Sequence, residues 1–200
     1  MSKVVTLVAV SALALACTAE SPEPTAPFSV PVFSHGAAPA GANGGNFGTP
    51  LDASEEVMPP GVVNDSRARG NSVFQLSSDG NSLSYKLIVA NIENAFMAHI
   101  HTAPAGANGP VVVWLYPSTA VAPGPVGQGR IDGVIATGTI TAANLVGPLT
   151  GQPVSALVDL LKNDLAYVNV HTNDGVAPTN TGPGDFPGGE VRGQIEHRGH

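Results

Sequence analysis

From residue 72 onward the apolar positions recur with a period of two, in short runs separated by glycine, proline, asparagine and aspartate. Successive side chains of a strand point to opposite faces, so this pattern predicts strands with one face on a core. Over residues 72–77 Val73 opposes Phe74 and Leu76. Asp79-Gly80-Asn81 then turns tightly into residues 83–90, where Leu83, Tyr85, Leu87 and Val89 share a face. The pair reads as a β-hairpin. Further strands are predicted over residues 96–102, 111–116, 133–141, 166–172 and 190–196. Only residues 154–162 carry helical spacing, with Leu157, Leu160 and Leu161 on one side. Many short strands, Gly/Pro-rich turns and one short helix predict an all-β fold, an antiparallel Greek-key-like β-sandwich.

Upstream of this region the pattern is different. Lys3 gives a short positive start and Val4 to Ala16 is apolar and uncharged, too short to span a bilayer but the length of an export-signal core. It ends in Ala14-Leu15-Ala16-Cys17, and Cys17 is the only cysteine of the chain. Small residues before a cysteine at this point resemble a bacterial lipobox, which implies acylation of Cys17. Plain cleavage after Ala16 is the competing reading and would leave a free exported thiol. Residues 18–50 are rich in Pro, Ala, Gly and Asn without periodicity, the composition of a tether, and His35 within it reads as a solvated residue. The expected organisation is a signal peptide over 1–16, a lipid-anchored tether over 17–50, one domain over 51–197 and a tail over 198–200. The expected location is exported and lipid-anchored, at the outer membrane, because Thr18 rather than Asp follows the cysteine.

Composition narrows the function classes. Asp and Glu number 15 against 8 Lys and Arg, with no basic stripe and 5% aromatics, which argues against nucleic-acid binding. One cysteine excludes a disulfide within the chain and a cysteine-based structural zinc site.

Several motifs occur in a fixed order. They are Glu55-Glu56-Val57-Met58-Pro59-Pro60, Phe74-Gln75-Leu76 with Leu83-Ser84-Tyr85, Ala98-His99-Ile100-His101, Asn108-Gly109-Pro110-Val111-Val112, Tyr167-Val168-Asn169-Val170-His171-Thr172 and Gly189-Glu190-Val191-Arg192-Gly193-Gln194-Ile195. Together they resemble the chordin-type (CHRD) domain family over roughly residues 50–196. The segment 173–188 is longer than the turn the family carries at this place; its composition reads as a flexible loop or a cover over a site. The family includes a secreted growth-factor antagonist and stand-alone bacterial proteins, so the resemblance implies a binding or structural module with a protein or glycan partner. It does not supply an activity.

Strand alternation supplies candidate residues. With Phe96, Ala98 and Ile100 inward, Met97, His99 and His101 share the other face. By the same rule Tyr167, Asn169 and His171, and Glu190, Arg192 and Gln194, point outward. Two imidazoles at i and i+2, joined by His171 from an adjacent strand, suit copper first and zinc second. These strands also resemble those of copper–zinc superoxide dismutases. That likeness implies His99 and His101 as a first ligand pair, His171 as a later ligand and Arg192 as an anion-guiding arginine. The bridging histidine, zinc-ligand cluster and disulfide of that family have no counterpart here. The competing reading makes the three histidines hydrogen-bonding structural groups and Arg192 an ion-pair partner of Glu190 or a loop aspartate. Asp174 and Asp185 read as loop acids, and His197 and His200 as terminal residues. No nucleophile–base set is recognisable, so a non-enzymatic module is expected, with the mononuclear metal protein, possessing or lacking dismutase activity, as its alternative.

Overall fold

The chain was analysed as a computed structural model that describes residues 45–117 and 122–198. The signal segment, Cys17, His35, most of the tether and His200 lie outside the described residues. Among the described residues nine strands form in chain order: β1 Asn46–Asp52, β2 Arg69–Leu76, β3 Leu83–Glu93, β4 Ala95–Thr102, β5 Val111–Tyr116, β6 Arg130–Ile140, β7 Ala166–Thr172, β8 Val191–Gln194 and β9 Glu196–Arg198. One α-helix among the described residues, α1, spans Val154–Lys162, as its leucine spacing requires. Among the described residues no helix is long and apolar enough to cross a membrane.

The pairing is antiparallel throughout, in the order β5-β4-β7-β8-β1-β2-β3-β6, with β9 also against β1. The fold is therefore all-β, as expected. The path has one weak seam: β8 meets β1 through the single register pair Asp52–Arg192. On either side of it lie two four-stranded halves, β5-β4-β7-β8 and β1-β2-β3-β6. Both contribute to one core, with Phe47, Leu51, Phe74, Leu83 and Leu87 from one half and Ala98, Ile100, Val113, Leu115, Val168 and Val170 from the other. The Tyr85 hydroxyl donates to the Leu115 carbonyl at 2.8 Å and ties β3 to β5 across this core.

Two differences from the sequence expectation have local causes. The first strand starts at Asn46, inside the stretch whose composition reads as tether. Gly48 and Pro50 hide it from a periodicity search, although Phe47 and Leu51 are each 1% exposed. The run 190–196 is two short strands, interrupted at Ile195, whose amide donates to the Ala166 carbonyl. The helix keeps its expected bounds: α1 ends where Asn163 caps it and Asp164 takes the left-handed conformation (φ 55°), which lets the Leu165 amide reach back to the Leu160 carbonyl.

Why Gly193 stands in β8 is a matter of space. A Cβ there would overlap the Pro50 carbonyl oxygen and come within 2.5 Å of Thr49 Oγ1. The seam closes only because β8 is bare at this position.

Candidate functional site

Register places the three histidines together. Across β4 and β7, Met97 faces His171, His99 faces Asn169 and His101 faces Tyr167; across β7 and β8, Asn169 faces Arg192. All lie on the sheet face opposite the apolar core, as alternation predicts. The expectation that this face points outward is corrected, however. His99, His101 and His171 are 3%, 8% and 5% exposed, and Tyr167, Asn169, Glu190 and Arg192 are buried with them. All seven residues of β7 are buried, because loops cover the polar face while the core covers the other.

The covering loops are held by the same residues that line the site. His171 Nδ1 donates to the Pro187 carbonyl at 2.8 Å, and His101 Nδ1 donates to the Gly109 carbonyl at 2.8 Å. A carbonyl oxygen only accepts, so both rings carry their proton on Nδ1 and a lone pair on Nε2. His99 Nδ1 lies 3.0 Å from His171 Nε2. The Nε2 atoms of His99 and His101 are buried and have no hydrogen-bond partner. One potential ligand atom from each ring falls within 4.8 Å of the others. Trp114, opposite His99 on β5, meets its ring edge-on at 4.2 Å between centroids.

Burial sets the charge of the cluster. Desolvation, then the neighbouring His171 and His101, push His99 down to about 2. Desolvation and His101 push His171 down to about 4. His101 is lowered chiefly by burial, with the Gly109 carbonyl acting in the opposite sense. The three rings are therefore neutral imidazoles, the form in which histidine is a ligand.

Arg192 does not pair with Glu190 or with a loop aspartate. Its guanidinium donates to Asn108 Oδ1 at 3.1 Å, to the Ala107 carbonyl at 2.8 Å and to the Pro104 carbonyl at 3.4 Å. It also stacks 3.4 Å above the centre of the Tyr167 ring, against which His101 stacks as well. At 2% exposed it has no route to an incoming anion, so its work is to clamp the 103–110 loop. The ion pairs among the described residues are elsewhere, Asp52–Arg69 and Arg130–Asp132.

Glu190 anchors the other loop. One carboxylate oxygen accepts from Ser66 Oγ at 2.5 Å; the second accepts from Thr172 Oγ1 at 2.6 Å and from the Gly184 amide at 2.8 Å. Because Thr172 follows His171, Glu190 fixes the long 173–188 segment directly over the histidines. Phe186 from that segment is fully buried. Of the two sequence readings, cover is therefore the one that holds. Asp185 is buried and takes hydrogen bonds from the Thr181 amide and hydroxyl, which gives the loop its own internal turn.

Glu56 belongs to the site although alternation could not place it. It is held beside Asn169 and Gly189, and burial pushes its carboxyl up to about 8 against the opposing pull of Arg192 and of the Asn169 amide. Asn169 also adjoins His101, while its Oδ1 and Glu56 Oε1 are buried without a hydrogen-bond partner. A Cβ at Gly189, whose φ is +134°, would clash with Glu56 Oε1 and lie 2.7 Å from Asn169 Nδ2. The ordered sequence motifs other than the 74–85 hairpin thus meet in one constellation. Asn108 accepts from Arg192 and donates to the Val57 carbonyl, the Tyr167 hydroxyl accepts from the Gly109 amide, and Gln194 donates to the Ala103 and Asp164 carbonyls.

No curated protein and no solved structure matches this chain. The family model for the CHRD domain matches residues 47–195, which takes in every strand of the site and both covering loops. On that match, which spans most of the sequence and begins within β1, the chain belongs to the CHRD domain family.

Proposed function

We propose that this chain is a membrane-tethered, extracytoplasmic CHRD module that binds or presents rather than catalyses. The observation that carries the reading is the sequence Ala14-Leu15-Ala16-Cys17 after an apolar run, followed by a Pro/Gly-rich stretch that lasts until β1 begins at Asn46. Acylation of Cys17 anchors the chain, since each buried CH₂ of an acyl chain contributes about 0.8 kcal/mol. A linker of this composition and length has a root-mean-square span of about 30 Å, which sets the reach of the domain from its anchor toward protein or glycan partners. The covered histidine face supports the non-enzymatic part: its side chains hold loops in place and lie under them.

The test is fractionation of cells producing the wild-type chain and Cys17→Ala. The wild type is expected in the membrane fraction and the variant in the soluble extracytoplasmic fraction. Equal membrane retention of both would sink the tether, and turnover of any substrate at a rate that depends on His99 would sink the non-enzymatic assignment.

A second reading is favoured by one observation, the orphaned and buried Nε2 atom of His101 beside the facing His99 Nδ1 and His171 Nε2. Buried polar atoms are normally paired, and an orphan calls for a reason. A single bound metal ion would provide it, and the domain would then be a mononuclear metal protein. Elemental analysis of the chain after copper or zinc loading and dialysis tests this, with a His99→Ala, His101→Ala double variant as control. Equal metal in both would remove the reading.

A further inference from the structure

The identity and oxidation state of the ion follow from charge, coordination number and enclosure, if the metal reading holds. Carbonyls fix His101 and His171 as Nε2 donors, the arrangement in which a ligand histidine gives its other N–H to the backbone. His99 approaches His171 through Nδ1 at 3.0 Å. Two nitrogens bound to one ion at 2.0–2.1 Å stand roughly 3.3–3.6 Å apart, so His99 and His171 must part slightly while ligand atoms up to 4.8 Å apart in the cluster close in on the ion. The donor set is three neutral imidazoles and contains no thiolate or carboxylate.

Zinc fits this set poorly. A closed structural zinc site takes four ligands, and a catalytic one keeps an open position for water. Here three donors are grouped and all three rings lie under loops. A divalent ion would also leave two positive charges on neutral ligands in a buried space, which is costly. A monovalent d¹⁰ ion accepts three-coordination and leaves one. Glu56, whose carboxyl lies beside Asn169, the residue opposite His99, is the buried carboxyl on hand, its charge shared between the ion and the buried Arg192.

We propose that the histidine cluster is a closed, three-coordinate copper(I) site, ligated by His99 Nδ1, His101 Nε2 and His171 Nε2, with Glu56 as its counter-charge. It holds the cuprous ion rather than cycling it, because no position is open to a substrate.

The experiment uses the full-length chain carrying His197→Gln and His200→Gln, which removes adventitious terminal ligands. Copper(I) is added anaerobically and competed against a chromogenic cuprous chelator; zinc is offered in parallel, and the loaded protein is examined by X-ray absorption. The expected result is one equivalent of copper(I) with three nitrogen neighbours, undisplaced by excess zinc. Glu56→Gln should retain copper(I) about 10–100-fold more weakly, the usual effect of losing a partner outside the ligand shell. Preferential zinc retention, a fourth donor, or a cupric resonance that persists under reductant overturns the copper(I) assignment and leaves the metal reading standing. Unchanged affinity in Glu56→Gln overturns the counter-charge. If the wild-type chain keeps no metal while circular dichroism shows it folded, the inference and the metal reading fall together.

Discussion

Strands β3 and β7 are built from the same alternating pattern, yet they sit in different surroundings. Along β3 the core positions Leu83, Tyr85, Leu87 and Val89 are buried, while most of the residues between them face solvent. Along β7 Ala166, Val168 and Val170 face the core, but Tyr167, Asn169 and His171 are buried too, beneath the two loops. In the β3 half of the molecule the polar face is free to vary. In the β7 half each polar side chain must find a partner, because a buried donor or acceptor left unpaired costs about 1–3 kcal/mol. Most polar residues of the family motifs cluster in that second half and under its loops, where many pair with one another while His99 Nε2, His101 Nε2, Glu56 Oε1 and Asn169 Oδ1 stay unpaired.

Substitutions can break this contrast, beginning where the halves join. Gly193→Ala drives a methyl group into the Pro50 carbonyl and should cost about 3 kcal/mol or more, measured by urea unfolding, because neither backbone can yield without opening the seam. Next come the two arginines near that seam. Arg192→Leu orphans the Ala107 and Pro104 carbonyls and should cost about 2–4 kcal/mol. Arg69→Leu removes only an exposed pair with Asp52 and should change stability by less than about 1 kcal/mol. Similar costs for the two would mean that the covered face is not special. Glu190→Gln replaces an acceptor of three hydrogen bonds and should cost about 2 kcal/mol. It should also expose the 173–188 segment to limited proteolysis before the rest of the domain unfolds; uniform digestion would count against the anchoring role.

A further prediction concerns pH in the metal-free chain. His99, His101 and His171 stay neutral in the folded state below their ordinary value of 6.5, whereas the unfolded chain takes up those protons. Stability therefore falls as pH drops below 6.5. Glu56 acts in the opposite sense. The folded carboxyl keeps its proton up to about 8 while the unfolded one gives it up near 4.5, so stability falls as pH rises between those values. Three imidazoles outweigh one carboxyl on the acid side and the carboxyl acts alone above 6.5, so thermal stability should peak near pH 6.5. The alkaline arm is worth about 1.4 kcal/mol per pH unit at most. Glu56→Gln should flatten that arm only; flattening of both would place the proton elsewhere.

How much of this was legible in the sequence depends on distance along the chain. The period of two gave the strands and put His99, His101 and His171 on one face, because alternation is local. The leucine spacing of 154–162 gave the helix for the same reason. The exposure of that face could not be read, since it is decided by Pro187, Gly109 and Ala107, which reach the site from loops. Glu56 lies 113 residues from Asn169 in the sequence, and only the fold brings them together. Strand β1 was missed because Pro50 and Gly48 mimic a linker, although the Phe47 and Leu51 spacing of four is compatible with one strand face. Arg192 drew an expectation of an acidic partner, as charge usually does; backbone carbonyls and an aromatic ring took that role instead.

Trp114 gives the buried cluster an optical window. It is the chain's only tryptophan and its indole touches the His99 ring edge-on. Light absorbed by tryptophan anywhere in this molecule is therefore absorbed beside the histidines, so its emission colour and lifetime report on that spot alone. A stopped-flow trace of tryptophan emission would time the opening of the loops, the arrival of an ion or the loss of the site without any added label.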